Sequence, residues 1–305
     1  MSRTPVYLVD ASIYIFRAYF SLPERWHSPE GYPLQAVYGY TSFLLELFKS
    51  IGEEGEHCIG VAFDESLGTC YRNEIYPEYK CSRELPDEAL AYQLKACREV
   101  TERLGLSCYG GERYEADDYI ATLAACARQE KRDVMVVSRD KDLGQLLLRE
   151  GDRLWDFAAA AKFSRQDFFQ RFGVQPEQFA DYQGLAGDAV DDIPGVPSVG
   201  AKTAARLIDA FGDLESLEKD RDRVAGLGLR GAARIQAHLE EYWEQAVLSR
   251  DLARLESEIP GLQALPADYA LTADSLDSLT EFLDSIDLRG GVAGRVRTLA
   301  DRLRG

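Results

Sequence analysis

Three short apolar runs stand out along the chain: Val6-Tyr-Leu-Val9, Cys58-Ile-Gly-Val-Ala-Phe63 and Val134-Met-Val-Val137. They are continuous rather than alternating, the pattern of strands buried on both faces. Longer helical patterns separate them, over Leu34 to Ile51, Leu90 to Leu104 and Asp117 to Gln129. Strands alternating with helices predict an α/β fold with a mostly parallel central sheet and flanking helices. After about residue 165 the strand signal fades. Helical segments follow near Arg165 to Phe172, Pro176 to Gly184, Gly200 to Phe211 and Ala232 to Leu255. The expected division is an α/β domain over 1–165 and a helical part over 166–305. Ser66 to Glu88, a long loop-and-helix stretch after the second strand, carries Arg72, Lys80 and Arg83.

The 305 residues suit about two domains, and 46% hydrophobic with 29% charged residues suits a folded, soluble chain. The uncharged stretch Tyr32 to Leu45 is too short for a bilayer and contains Pro33 and Gly39. No basic segment precedes an apolar one at the start, so a non-exported, cytoplasmic protein is expected. The net charge of −17 argues against broad non-specific nucleic-acid binding, unless metal neutralises some of the acids. Six cysteines without a CxxC pair fit free thiols in a reducing compartment. With only three histidines, carboxylates are the expected agents of any chemistry.

Each apolar run ends in acid: Asp10 after Val9, Asp64 after Phe63, Asp140 and Asp142 just past Val137. Sites in open parallel sheets form outside the carboxyl ends of the strands, so these acids converge on one crevice. A single acid there is ordinarily a solvated turn residue; three in succession are not. Asp140 and Asp142, two apart, point the same way in extended chain. Glu115-Ala-Asp117-Asp118 opens a helix, where one or two acids complement the dipole. Three of them repel one another, with nothing nearby to neutralise them. In Gly187-Asp-Ala-Val-Asp-Asp192, Asp188 and Asp191 share a face if helical, and otherwise belong to a polar interhelical loop. Magnesium takes oxygen ligands and keeps several waters, and a two-ion phosphoryl-transfer site needs several carboxylates. Assigning these nine acids to one site removes about half of the acidic excess.

Two glycine patterns mislead. Gly195-Val-Pro-Ser-Val-Gly-Ala-Lys-Thr203 resembles a phosphate-binding loop, but Ala201 intervenes before the Lys and no strand leads in. Gly226-Leu-Gly-Leu-Arg-Gly231 lacks the leading strand of a dinucleotide site. The first reads better as a tight hairpin between helices, whose N–H groups, with Lys202 and Arg206, face a phosphate. A plain helix–turn–helix connection has the same spacing.

With these residues in view, the chain resembles the bacterial and phage 5′-nuclease family. That family includes the amino-terminal 5′→3′ exonuclease domain of bacterial DNA polymerase I and the flap endonucleases. The matching strings run in family order: Val9 to Phe20, Ala62-Phe-Asp64, Tyr71 to Arg83, Glu115 to Asp118, Arg139-Asp-Lys-Asp-Leu143, and Gly184 to Ala204.

The resemblance implies two or more magnesium ions, with manganese able to substitute, on Asp10, Asp64, Glu115, Asp117, Asp118, Asp140, Asp142, Asp188 and Asp191. It implies a helical arch at about 66–90, with Lys80 and Arg83 at its base contacting the scissile phosphate. It implies a helix-hairpin-helix at about 185–212 that grips duplex DNA through Gly195, Val196, Gly200, Lys202 and Thr203, in some members with a potassium ion. Arg17 and Arg72 are further expected DNA contacts. Tyr14, Tyr76 or Tyr79 is expected to stack on a frayed base, or else to be core. The implied activity is structure-dependent 5′→3′ exonuclease and flap endonuclease cleavage, on DNA with 5′ ends, flaps or nicks and on RNA primers on DNA. A functional link to a DNA polymerase and ligase goes with it, at the nucleoid and without a membrane.

Three positions depart from the family pattern: Asp192 stands where Asn is usual, Ser198 replaces a hairpin Gly, and Arg139 replaces the Gly before Asp140. A module that recognises junctions without cutting, and a nuclease acting mainly on RNA, remain as alternatives. An aspartyl-phosphate phosphatase lacks its second Asp, since Ser12 stands there.

Overall fold

The structure, a computed structural model, describes residues 4–53, 55–66 and 68–305. At its centre lie β1 (Val6–Asp10), β2 (His57–Ala62), β3 (Ser107–Tyr109), β4 (Val134–Val137), β5 (Arg153–Asp156), β6 (Ala161–Phe163) and β7 (Asp268–Tyr269). The sheet order is β3-β2-β1-β4-β5-β6, with β7 set against the start of β2. β1 to β5 run parallel, while β6 returns antiparallel to β5 and β7 to β2. The three apolar runs are the central strands, where Val9 lies level with Val61 and Val137.

Both faces of these strands are covered, which is why the runs are continuous. Val9, Ile59, Val61 and Val137 face a core shared with the helices Gln35–Ile51 and Glu88–Arg103. Leu8, Ala62, Val134 and Val136 face a second core built with the helix Ala116–Gln129 and the helices after residue 174. Strand order reverses at β1: the chain leaves it for β2 and β3 on one side, then crosses to β4 on the other. The crevice beyond the carboxyl ends of β1 and β4 is therefore the switch point, where sites in such sheets form.

Three sequence expectations change. Among the described residues of the stretch expected as a helical arch there is one short helix, Tyr71–Ile75, with turns and irregular chain up to Glu88, where the next helix begins. Tyr76 precedes Pro77, which disfavours helical backbone, and it is extended. The pattern over Ala232 to Leu255 breaks at Tyr242 into Ala232–Glu241 and Trp243–Ala253. The last two helices, Ala273–Ser285 and Val292–Arg304, leave the helical second part and return to the first core. There Leu279, Leu283 and Val296 join Tyr40 and Leu44. The arginines of that tail pair with acids, Arg295 with Glu46, Arg297 with Asp284 and Arg302 with Glu53.

Candidate active site

Asp10 ends β1 and caps the helix Ala11–Ser21. Across the switch point, Ser138 at the end of β4 donates its hydroxyl to Asp10 Oδ2 at 2.9 Å and accepts the Asp140 N–H at 3.0 Å. Asp140 Oδ1 accepts the Asp142 N–H at 2.9 Å, and a 3-10 turn begins at Asp142. That turn replaces the extended geometry expected for the pair. Beyond β2, the Asp64 N–H donates to Ser12 Oγ at 3.0 Å and the Ser66 hydroxyl to Asp64 Oδ1 at 3.1 Å. Glu115 caps Ala116–Gln129, and Asp117 lies in the first turn of that helix. Asp188 and Asp191 sit in a loop, not a helix, closed by reciprocal 2.8 Å backbone bonds between Asp188 and Ile193. Gln183 ties that loop in, donating to Asp142 Oδ1 at 2.8 Å and Asp188 Oδ2 at 3.2 Å.

These carboxylates feel one another's charge. Burial, then Asp140 and Asp64, push Asp10 up to about 7. Burial, with Asp140, Asp191 and Asp188, pushes Asp142 up to about 7. Asp117 is raised well above the carboxylate range by burial and by Asp140 and Asp10, and Asp64 is raised by burial and Glu115. Three bases counter them. Lys80 pairs with Glu115 and lies 3.8 Å from Asp191, Arg83 meets Asp191 at 2.5 Å, and Lys141 meets Asp188 at 2.5 Å. Burial works against the Glu115 charge, but Lys80, Arg72 and the Tyr79 hydroxyl outweigh it and hold the carboxyl below its usual range. A cleft of about 270 Å³ opens between Asp64, Tyr79, Lys80, Arg83 and Glu115. Among the described residues, no three His, Cys, Asp or Glu side chains are arranged to hold a metal ion by themselves.

Asp118 and Arg72 depart from expectation together. Asp118, expected beside a metal, is 0% exposed and takes both nitrogens of the Arg72 guanidinium at 2.7 Å. Arg72, expected on DNA, is 2% exposed and also bonds Glu115 and the carbonyls of Leu252 and Arg254. A guanidinium saturated in the interior cannot meet a phosphate backbone. Two of the three acids opening the helix, Glu115 and Asp118, are therefore neutralised, by Arg72 and Lys80 reaching in from the segment before Glu88.

The hairpin is also revised in part. Gly195 spends its N–H on Ser249 Oγ and its carbonyl on Gln245, and Val196 is buried, its N–H bonded to the Leu185 carbonyl. Neither is free for a backbone approach to DNA. Gly200, Lys202 and Arg206 are exposed and Thr203 is half-buried at the start of the helix Ala201–Phe211, and Arg17 is exposed on Ala11–Ser21. Tyr14 and Tyr79 are core: Tyr14 stacks on Phe43, and Tyr79 donates to Glu115 at 3.0 Å. Tyr76 is half-buried, its hydroxyl on Glu78.

Sequence reasoning missed Ser12, Ser138, Lys141 and Gln183. Ser138 and Lys141 flank the Asp140 string and were visible there as neighbours of the acids. Gln183 carried no signal, because only folding brings it to Asp142.

An α/β sheet with a carboxylate cluster at its switch point and bases beside it is an arrangement suited to phosphodiester hydrolysis. The chain matches "5'-3' exonuclease, N-terminal resolvase-like domain" over residues 5–173 and "5'-3' exonuclease, C-terminal SAM fold" over residues 174–277. It belongs to the 5'-3' exonuclease family. It is 30% identical to a 5'-3' exonuclease of Buchnera aphidicola over 85% of this chain and 89% of that one. It is 36% identical to DNA polymerase I of Rhizobium leguminosarum over 84% of this chain, spanning a quarter (25%) of that longer protein. The bacteriophage T5 flap endonuclease, in a pseudo-enzyme-product complex with DNA and metal ions, shares the fold. Its TM-score is 0.66 at 21% identity, covering 97% of this chain and 99% of that one.

Proposed function

We propose that this chain is a structure-dependent 5′→3′ exonuclease and flap endonuclease, hydrolysing DNA phosphodiesters near 5′ ends. One observation carries the reading: eight carboxylates from five chain segments meet at the switch point, with Lys80 and Arg83 over them. The Buchnera exonuclease and the T5 complex with DNA and metal ions support it.

The donor set suits hard divalent cations. It is all carboxylate oxygen, and burial, with mutual repulsion beside it, raises Asp10, Asp117 and Asp142, a penalty on their negative charge that a divalent ion would relieve. Magnesium, with manganese as substitute, completes its shell with water, so no three side chains need close on one point. Asp140, Asp142, Asp188 and Asp191 would hold one ion, and Asp10, Asp64, Glu115 and Asp117 the other; Asp118 drops out. When bound, the two ions supply an activated water and stabilise both the entering and the leaving oxygen. Ser138 keeps Asp10 and Asp140 in register across the sheet. Lys80 and Arg83 exchange Glu115 and Asp191 for oxygens of the scissile phosphate and stabilise its developing charge.

The exposed start of Ala201–Phe211, with Gly200, Lys202 and Thr203, meets the duplex backbone, with potassium at the hairpin. The 5′ ends include flaps, nicks and RNA primers on DNA, and a polymerase and ligase act on the product in the bacterial cytoplasm.

The test is cleavage of a 5′-labelled flapped duplex with magnesium, with EDTA, and with Asp140→Ala protein. Cutting near the junction that disappears in both controls is the expected result. Tight binding without cutting at any magnesium or manganese concentration overturns the reading in favour of a junction-binding module.

A further inference from the structure

The two candidate phosphate-facing bases, Lys80 and Arg83, stand on a segment with little regular structure. Among its described residues the one helix is the five-residue Tyr71–Ile75. Local turn bonds, from the Cys81 N–H to the Glu78 carbonyl and from the Arg83 N–H to the Lys80 carbonyl, shape residues 80–83, and the loop 188–193 of the other half of the chain ties them down. The Lys80 N–H donates to the Asp191 carbonyl at 3.0 Å, and the Ser82 N–H donates to Asp192 Oδ2 at 2.9 Å. The Ser82 N–H and hydroxyl, then the Cys81 side chain and the Arg83 charge, hold the Asp192 carboxyl below its usual range. Arg83 then reaches the Asp191 side chain, and Lys80 reaches Glu115.

Both partners of this contact sit in backbone that ordinarily goes to glycine: Lys80 has φ +54° and Asp192 φ +55°. Asn and Asp are the side chains that tolerate that region best. A left-handed residue at 192 turns its side chain out of the loop, toward Ser82. Asp192 makes no ion pair within the cluster; its carboxylate accepts the Ser82 N–H, and the groups that favour its charge lie on residues 81 to 83. The loop is anchored in its turn by the Asp188–Ile193 bridge and by Gln183.

We propose that Asp192 is a positioning residue: its carboxylate clasps the backbone of Ser82 and so seats Lys80 and Arg83 over the carboxylate cluster. The clasp joins the two halves matched as separate family regions, because Ser82 lies in the first and Asp192 in the second. It makes the placement of the bases depend on the same loop that supplies Asp188 and Asp191. An Asn, the residue usual at this position in the family resembled, offers an acceptor oxygen of the same reach. The clasp therefore needs the acceptor and not the charge. The catalytic consequence rests on the nuclease reading above; the clasp itself does not.

The experiment compares wild type with Asp192→Ala and Asp192→Asn in two measurements. The first is hydrogen exchange across residues 77–87 of the free protein, which reads the Ser82 amide without any substrate. The second is steady-state cleavage of a flapped duplex with magnesium, resolved into kcat and KM, with thermal midpoints to confirm folding. For Asp192→Ala, faster exchange confined to this segment is expected. A fall in kcat of about 10- to 100-fold should accompany it, as when reacting groups lose their orientation, with KM little changed. Asp192→Asn should restore both. Unchanged exchange in Asp192→Ala overturns the clasp, and faster exchange with unchanged kcat overturns its positioning role. Loss of both in Asp192→Asn shows that the charge is what matters and overturns the acceptor mechanism. If wild type cuts no DNA, the nuclease reading fails and the positioning role with it, while the exchange measurement still decides the clasp.

Discussion

Arg72 and Asp118 form a two-pronged ion pair in the interior, each terminal guanidinium nitrogen 2.7 Å from a carboxylate oxygen. Asp118 also accepts the backbone N–H of Glu256 at 2.9 Å, so the pair stitches the 66–87 segment and the later chain to the helix carrying Asp117. Removing one partner of a buried pair leaves the other charge uncompensated, at a cost of about 3–5 kcal/mol. Arg72→Ala should lower stability by that amount in urea unfolding. Affinity for flapped DNA, per folded molecule, should stay within about twofold, since the side chain meets no DNA. A large loss of affinity with intact stability would restore Arg72 to the DNA surface.

Gly195 is needed for the fold and not for a close approach to DNA. Its φ is +61°, and a Cβ there would lie 2.3 Å from the Gly187 nitrogen. Gly195→Ala combines a left-handed penalty with overpacking against backbone, together about 2–4 kcal/mol. The loss should appear in the denaturation midpoint before it appears in DNA binding.

Ser198 occupies the turn between Val196 and Val199 with φ +68°, and the turn closes with a 3.0 Å bond from the Val199 N–H to the Val196 carbonyl. The hairpin therefore keeps its form with Ser in place of Gly, at a conformational cost. A left-handed non-glycine residue costs about 1–2 kcal/mol, and the entropy glycine brings to the unfolded chain returns part of it. Ser198→Gly should raise stability by about 0.5–1 kcal/mol on those terms, seen as a higher thermal midpoint.

Burial pushes Asp10 and Asp142 up to about 7 in the fold from the ordinary 3.8, so between those limits the folded chain binds more protons than the unfolded one. Without divalent ions, their contribution to stability is greatest below the unfolded value and falls as pH rises toward 7. A divalent ion displaces those protons and reverses the effect above 7. Magnesium or manganese should therefore raise the thermal midpoint more at pH 8 than at pH 5.5, and binding at pH 6 should release protons. An equal metal-induced shift at both pH values would show that these two carboxylates are not the ligands.

Much of the centre of the fold was legible because β1, β2 and β4 are buried on both faces and so appear as unbroken apolar runs. β3, β5, β6 and β7 were not, since each has at most four residues and no apolar run to mark it. Helix Ala11–Ser21 was visible only as a family string, its residues being apolar on nearly every side. The last two helices have an amphipathic pattern, but no local feature says that Leu279 and Val296 pack beside Tyr40 rather than with the preceding helices.

The sequence by itself determined the acids at the strand ends and their convergence, because parallel topology brings the carboxyl ends of successive strands to one edge. It also carried the family membership, through six strings in order. Tertiary structure alone decided which of those acids face the crevice. Asp117 and Asp118 are neighbours in one helical turn, yet one looks into the carboxylate cluster and the other is locked to Arg72. Adjacent positions on a helix diverge by about 100°, so which of the two meets a distant cation depends on where the 66–87 segment lies. The same holds for Arg83 and Asp192, whose contacts span more than a hundred residues, and for Lys80, which meets Glu115 35 residues on; local pattern encodes none of them.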